Sequence, residues 1–371
     1  MLILATETSC DETSAAVLQV EHGQFNLLSN IVSSQIKIHA KFGGVVPEVA
    51  ARMQMETILP VIDESLIAAN LKLKDIDYLA VTFGPGLITS LTVGVETAKA
   101  LAFALKKPLI ATNHLVGHLF ANFLPNKKIS DIKFPALGLI VSGGHTILVN
   151  IKNESTYKII GETLDDAVGE AFDKVAKILN LGYPGGPVVS KIAATGNPYA
   201  FQFPRPMAAS KDFNFSFSGL KTAVLYTVEN IKKNKGGVVG FLHEDCLSEA
   251  SSAEKNSATP PNLINNICAS FQKACVDVLT QKTITALKKF HPKSFLLGGG
   301  VAANPALRTR LQEQINKNFP DIKIFIPELR FTGDNAAMIA AAAYFQTKNK
   351  TQLTKLKNNY KKLKAEPNLS L

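Results

Sequence analysis

Apolar residues along this chain fall in short runs, and most runs end in glycine or small polar residues. Leu2 to Thr6 reads as a buried strand, Glu7 to Thr13 as a polar turn and Ser14 to Val20 as a second strand, which together predict a hairpin. The same plan returns at Ala136 to Val141, Ser142 to His145 and Thr146 to Ile151. A second unit also occurs twice. Tyr78 to Thr82 runs through Phe83-Gly84-Pro85-Gly86 into a helix, and Ser294 to Leu297 runs through Gly298, Gly299 and Gly300 into a helix that begins near Asn304 and Pro305. Pro305 suits a first helical turn, with Asn304 as its N-cap or as a ligand contact. Small-residue hairpin turns present N–H groups to an anion, and a glycine loop aimed at a helix N-terminus favours phosphate.

The order hairpin, strand-loop-helix, hairpin, strand-loop-helix predicts a duplicated α/β fold of two lobes with a nucleotide in the cleft between them. The first lobe is expected over residues 1–133, completed by a C-terminal helix at about 335–346, and the second over 134–334. A stretch at 234–261 with no convincing periodicity reads as a surface insertion, and 347–371 as a lysine-rich tail.

Composition narrows the classes. At 371 residues and 46% apolar content the chain can bury a large core. No apolar run approaches the roughly 20 residues a bilayer span needs, and no basic leader precedes the first strand, so a cytoplasmic protein without a membrane partner is expected. Cys10, Cys246, Cys268 and Cys275 form no Cys-x-x-Cys pair, which argues against a disulfide framework and a thiolate zinc site. The net charge of +10 owes much to Lys348, Lys350, Lys355, Lys357, Lys361, Lys362 and Lys364. Such a run is either a solvated face or a contact for a polyanion such as RNA.

The candidate chemistry begins at His114 and His118. On a helix, a spacing of four places both imidazoles on one face about a turn apart, as two ligands of one divalent ion require. Asp334, in Thr332-Gly333-Asp334-Asn335, adds a carboxylate on a turn that leads into an alanine-rich helix. The zinc-protease pattern His-Glu-x-x-His is absent, because position 115 is leucine. Two surface histidines on an amphipathic helix are the plainer reading of the pair.

Taken together, several segments resemble a known family. They are Ala5 to Thr13 (ATETSCDET), His39 to Glu48 (HAKFGGVVPE), Gly84 to Gly86, Asn113-His114 with His118, Val141 to Thr146 (VSGGHT), Ala171 to Lys174, Tyr183 to Pro187 (YPGGP), Phe215 to Thr222 (FSFSGLKT), Gly298 to Asn304 (GGGVAAN) and Thr332 to Asn335. The set is similar to the universal tRNA adenosine threonylcarbamoyltransferases, once labelled O-sialoglycoprotein endopeptidases, from Met1 to about Tyr344.

The resemblance implies the actin, chaperone-ATPase and sugar-kinase (ASKHA) fold. It implies transfer of threonylcarbamoyl from its adenylate, threonylcarbamoyl-AMP, to N6 of adenosine 37 in tRNAs reading codons that begin with A, forming t6A and releasing AMP. Carried over by position, His114, His118 and Asp334 match the family's metal ligands, for iron(II) (Fe2+) or in some members zinc. Ile140, Val141, Ser142, Gly143, Gly144, Asp173, Gly186 and Asn304 match its adenylate-binding positions. Ser190 departs from the pattern, which places an aspartate there, and a hydroxyl bonds a ribose more weakly than a carboxylate.

Asp11 and Glu12, on the first hairpin turn, are nominated as the carboxylates at the reacting centre; ordinary turn residues are the plainer reading. Bacterial members work with a paralogous inactive partner of the same fold and a small ATPase, and the same is expected here. Two other classes compete: a phosphotransferase or ATPase of the same fold, and a nucleotide-binding regulatory scaffold. Kinase-type sites hold magnesium through carboxylates and water, so two imidazoles weigh against the first.

Overall fold

The computed structural model describes residues 1–234, 262–348 and 360–371. Past the end of a helix at Asn234, the expected insertion lies outside these residues, as do Cys246, Lys350, Lys355 and Lys357. The first sheet contains β1 (Leu2–Glu7), β2 (Glu12–Glu21), β3 (Gln24–Ser34), β4 (Tyr78–Gly84) and β5 (Leu109–Asn113), in the order β3-β2-β1-β4-β5. β2 runs antiparallel to β1 and β3, whereas β4 is parallel to β1 and β5. The second contains β6 (Ala136–Val141), β7 (Thr146–Asn153), β8 (Thr156–Glu162), β9 (Ser294–Gly298) and β10 (Lys323–Phe325), in the order β10-β9-β6-β7-β8. Read from its other edge, this sheet has the sequence of pairings of the first: two antiparallel, then two parallel. The two sheets are copies of one plan, as the repeated hairpin and strand-loop-helix units predicted.

Ten helices are described: α1 (Ile36–His39), α2 (Pro47–Ala68), α3 (Ile88–Leu105), α4 (His114–Phe120), α5 (Val168–Ile178), α6 (Gly185–Ala193), α7 (Ser218–Asn234), α8 (Asn262–Phe290), α9 (Pro305–Asn318) and α10 (Ala336–Thr347). α2 and α3 pack together against the first sheet, and α5, α6, α7 and α8 gather on the second. The remaining face of the first sheet takes α10, whose residues are nearly all buried. Its run of alanines permits this, because small side chains let the helix lie close to β1, β2 and β5. Asp334 is therefore fixed at the entrance to a helix that has almost no exposed face.

One apolar core joins the sheets. Ile3, Ala5 and Ala16 from the first, Ala136, Ile140 and Ile147 from the second, and α4 and α10 between them belong to one buried cluster. At its centre Phe120 stacks on Phe345 with ring centroids 4.5 Å apart, and Phe123 lies 5.0 Å from the same ring. Every residue of β6 is buried, as expected of a strand covered on both faces.

Two expectations change. β3, β5, β8 and β10 complete the sheets and were not anticipated from the apolar pattern. α3, moreover, is long and apolar enough to cross a bilayer by length and composition, although no run was expected to approach that. Here it lies on β4 and α2, with an ion pair of 2.8 Å between Lys99 and Glu96. Phe120→Ala should destabilise the metal-free chain by about 3–5 kcal/mol, the usual cost of removing a buried aromatic ring. Urea denaturation would measure this, and an unchanged midpoint would show that the stacked rings do not hold the core.

Candidate metal centre and adjoining cleft

α4 begins at His114 because Asn113 caps it: the Asn113 side-chain oxygen accepts from the backbone N–H of Leu115 (2.8 Å) and Val116 (3.3 Å). The helix carries His114 and His118 on one side, with ring centroids 4.6 Å apart. Gly117, between them, lets α10 approach, since a Cβ there would meet Ile339 Cδ1 at 2.8 Å. The start of α10 is pinned in turn. Asn335 caps it through Met338 N–H at 3.0 Å, and Ala336 N–H donates to Ser14 Oγ at 2.9 Å.

The result brings Asp334 Oδ1 to 3.6 Å from His114 Nε2 and 3.4 Å from His118 Nε2. One ligand atom from each residue lies within 4.8 Å of the others. His118 is fully buried, and neither ring nitrogen has a well-aligned hydrogen-bond partner among the described residues. A buried polar atom left unpaired costs on the order of 1–3 kcal/mol, so this ring is set up to give a lone pair to something else. Two imidazoles and a carboxylate form a donor set suited to one divalent cation.

Glu7 completes the arrangement. Fully buried at the end of β1, it places Oε2 3.3 Å from His114 Nδ1 and also accepts from Thr82 Oγ1, while Ser9 Oγ lies 3.1 Å from the same nitrogen. A proton held on Nδ1 by this carboxylate leaves Nε2, which faces Asp334, as the ligating atom. Burial pushes His114 down, but the carboxylates of Asp334 and Glu7 outweigh it and raise its pKa to about 9. For His118 burial prevails and the pKa is lowered. Asp334 is held below the usual carboxylate range, the two histidines overcoming the upward push of burial. Sequence reasoning did not single out Glu7 or Ser9, because strand ends carry such residues routinely.

The nominated carboxylates lie nearby. Asp11 is buried in the β1–β2 turn, and Glu12 opens β2 with Ser34 Oγ donating to its Oε1 at 3.2 Å. Burial first, then the charges of Asp334 and Asp11, raise the Glu12 pKa to about 9. His145 is pushed to about 4 by burial and by the neighbouring His114 and His118.

A strip of contacts leads from this centre into the second lobe. A Cβ at Gly298 would meet the His118 carbonyl at 2.5 Å, and one at Gly299, where φ is +92°, would meet the Val141 carbonyl at 2.3 Å. Ile140 and Val141 end β6. Ser142 then closes the turn, its N–H donating to the His145 carbonyl at 2.8 Å and its Oγ accepting from His145 N–H at 3.1 Å. Gly143 and Gly144 face open space. At the start of α5, Gly169 N–H donates to the Ser142 carbonyl at 3.2 Å. Further along α5, Asp173 Oδ1 accepts from Gly185 and Gly186 N–H at 2.8 and 3.2 Å, holding the start of α6. Gly186 is also open.

On α6, Ser190 Oγ accepts from Asn304 Nδ2 at 3.3 Å, and Asn304 caps α9 through Leu307 N–H at 3.1 Å. Of the two readings of Asn304, the structure gives the N-cap directly. The start of α5 adjoins the Ser142–Gly144 turn, and the expectation of free N–H groups fails at several positions: those of Val168, Gly169, Gly185, Gly186 and Leu307 are taken by Thr146, Ser142, Asp173 and Asn304. In the first lobe it fails likewise: Gly86 N–H is taken by the Pro367 carbonyl (3.1 Å) and Leu87 N–H by that of Ser9 (2.7 Å). Lys221 pairs with Asp166 at 2.9 Å.

Two outcomes follow from the His114 environment. In the metal-free chain His114 is charged below pH about 9, so a metal entering at Nε2 must expel that proton. Uptake at pH 7 should release about one proton, and affinity should climb as pH rises towards 9. Titration calorimetry in buffers of different ionisation enthalpy measures the release; no buffer dependence would contradict it. Glu7→Gln should weaken metal binding by about 10- to 100-fold while leaving all three ligand residues in place. Competition against a chromogenic chelator reads this directly.

The family model described as tRNA N6-adenosine threonylcarbamoyltransferase matches residues 26–341. A curated protein of that name from Thermosipho africanus is 47% identical over 344 residues, covering 93% of this chain and 94% of the relative. One from Clostridium perfringens is 46% identical over 372 residues, covering 100% of this chain and 98% of the relative. Among solved structures, HypF of T. kodakarensis superimposes with a TM-score of 0.56 at 13% identity, over 95% of this chain and 49% of that one. A second HypF structure, full-length and described as phosphate- and nucleotide-bound, gives 0.54 at 12% identity, over 94% and 46%. These structural likenesses concern the fold, which is the two-lobed ASKHA fold. The chain belongs to the tRNA N6-adenosine threonylcarbamoyltransferase family.

Proposed function

We propose that this chain transfers threonylcarbamoyl from threonylcarbamoyl-AMP to N6 of adenosine 37 in tRNAs reading codons that begin with A, across the cleft between the metal centre and the Ser142–Gly144 turn. The observation that carries the reading is the continuity of the two sites through the Gly298–His118 contact, in a chain of this family. His114, His118 and Asp334 would hold one divalent cation, for which iron(II) is proposed ahead of zinc. When bound, the cation supplies Lewis acidity toward a substrate oxygen.

The chain's own residues do the rest. Ile140 to Gly144, with Gly186, form the wall against which the adenylate lies, and the open glycines allow its phosphate to approach the backbone. Asp173 keeps the α6 start in place through one carboxylate oxygen, and its other oxygen is available to a ribose. Asn304 holds α9 and Ser190 at the far end of the wall. The amine N6 attacks the threonylcarbamoyl carbonyl carbon, the carbon–oxygen bond to phosphate breaks and AMP departs. Asp11 takes the proton lost by N6. Glu12, whose raised pKa keeps it protonated at neutral pH, can donate a hydrogen bond beside it.

A protein partner of the same fold and a small ATPase are proposed as well. Supporting the first, α2 exposes Met55 and Leu59 one turn apart, with Ile67 further along. The tRNA substrate makes the cytoplasm the proposed compartment.

With metal-loaded protein, adenylate, tRNA and partners, AMP and modified nucleoside should appear in equal amounts. Asp11→Asn and Asp334→Ala should each lower both products by about 100-fold or more with tRNA binding retained. Liquid chromatography with mass spectrometry follows both. Turnover of ATP to ADP at a comparable rate with no nucleoside formed would favour the ATPase reading instead.

A further inference from the structure

The repeated strand-loop-helix unit is closed by different partners in the two lobes: Gly298 and Gly299 lie against the His118 and Val141 carbonyls, and the first-lobe loop lies against residues near the far end of the chain. Gly300, in the second-lobe loop, has nothing within 4 Å of where a Cβ would stand. At Gly84, in the first-lobe loop, a Cβ would lie 2.0 Å from the Glu366 carbonyl oxygen and 3.0 Å from Leu369 Cβ. Residues 360–371 cross the end of β4 here. Tyr360, Leu363 and Ala365 pack on the core beneath α2 and α3, and Leu371 packs on the core that joins the sheets. Between these anchors, Glu366 N–H donates to the Phe83 carbonyl (2.7 Å) and Gly86 N–H to the Pro367 carbonyl (3.1 Å). The segment is thus tied down by backbone hydrogen bonds as well as by apolar contacts.

Two routes lead from it to the metal centre. Ser370 offers its carbonyl to Asn113 Nδ2 at 3.1 Å. An asparagine amide can point either way, and an acceptor on this side requires the NH2 group here, which turns Oδ1 toward the N–H groups of Leu115 and Val116. Ser370 therefore sets the cap of the helix that carries both histidines. The second route runs through the Gly84–Leu87 loop, held between Pro367 on one side and the Ser9 carbonyl on the other. Ser9 Oγ in turn lies 3.1 Å from His114 Nδ1.

We infer that residues 366–371 are a clasp that positions His114 by seating in the first-lobe glycine niche and orienting the Asn113 cap. They act on the ligands without touching the cation. This inference rests on the metal reading above.

Gly84→Ala tests it with one methyl group that meets the clasp. In the intact chain, Gly84→Ala and removal of residues 366–371 should each weaken zinc affinity by about tenfold, the lower end of what supporting contacts contribute to a metal site. In the shortened chain, Gly84→Ala should add nothing, because its obstacle is gone. Asn113→Asp keeps the capping oxygen but sets a carboxylate oxygen against the Ser370 carbonyl, and should behave like the removal. Chelator competition gives the affinities. Equal affinity for intact and shortened chains, or a full second loss from Gly84→Ala in the shortened one, would overturn the clasp. Hydrogen exchange over residues 113–120 in the metal-free chain is a separate readout, expected to quicken in Gly84→Ala; unchanged exchange there would also overturn the clasp. An intact chain that takes up no metal would instead count against the metal reading, with the exchange still reporting on the clasp.

Discussion

His118 has two polar nitrogens in a place that water does not reach, and most of the surrounding structure is arranged to keep it there. Gly298 lets the β9 loop press on its carbonyl, and Gly117 lets α10 close over the other side of α4. The first approach is backbone against backbone, and the second is made by the Ile339 and Met338 side chains. The ring is left facing Asp334. Glu7 orients the neighbouring His114, and the Asn113 cap and the entrance to α10 set where both rings meet Asp334. The unsatisfied ring is a cost that the apolar core around Phe120 and Phe345 can sustain, and it is the feature that separates this site from a surface histidine pair.

Much of this was legible in the sequence, for identifiable reasons. A spacing of four on a short helix forces two histidines to one side, and a carboxylate before an alanine-rich helix points to a buried helix entrance. The duplication showed itself because hairpins and glycine loops leave strong local signatures. What stayed hidden depends on residues distant in sequence. Glu7 reads as the last polar residue of a strand, and only the fold brings it to His114. Asn113 reads as an ordinary cap until Ser370 is seen behind it. The Gly84–Gly86 loop was the instructive failure. Its sequence matches the phosphate-type pattern as well as Gly298–Gly300 does, and nothing local reveals that a segment some 280 residues onward, roughly, occupies it.

The two copies are closed by different partners. In the first lobe the glycine loop meets Glu366, Leu369 and Ser9; in the second, Gly298 and Gly299 meet the carbonyls of His118 and Val141, and Gly300 alone is open. His114, His118 and Asp334 come from α4 and from the entrance to α10, a helix that packs on the first sheet.

The Gly298–His118 contact also bears on spacing. A Cβ at Gly298 would meet the His118 carbonyl at 2.5 Å, so any side chain there would have to push the end of β9 away from α4. How near the second-lobe loop stands to the helix that carries both histidines is thus set by one missing methyl group.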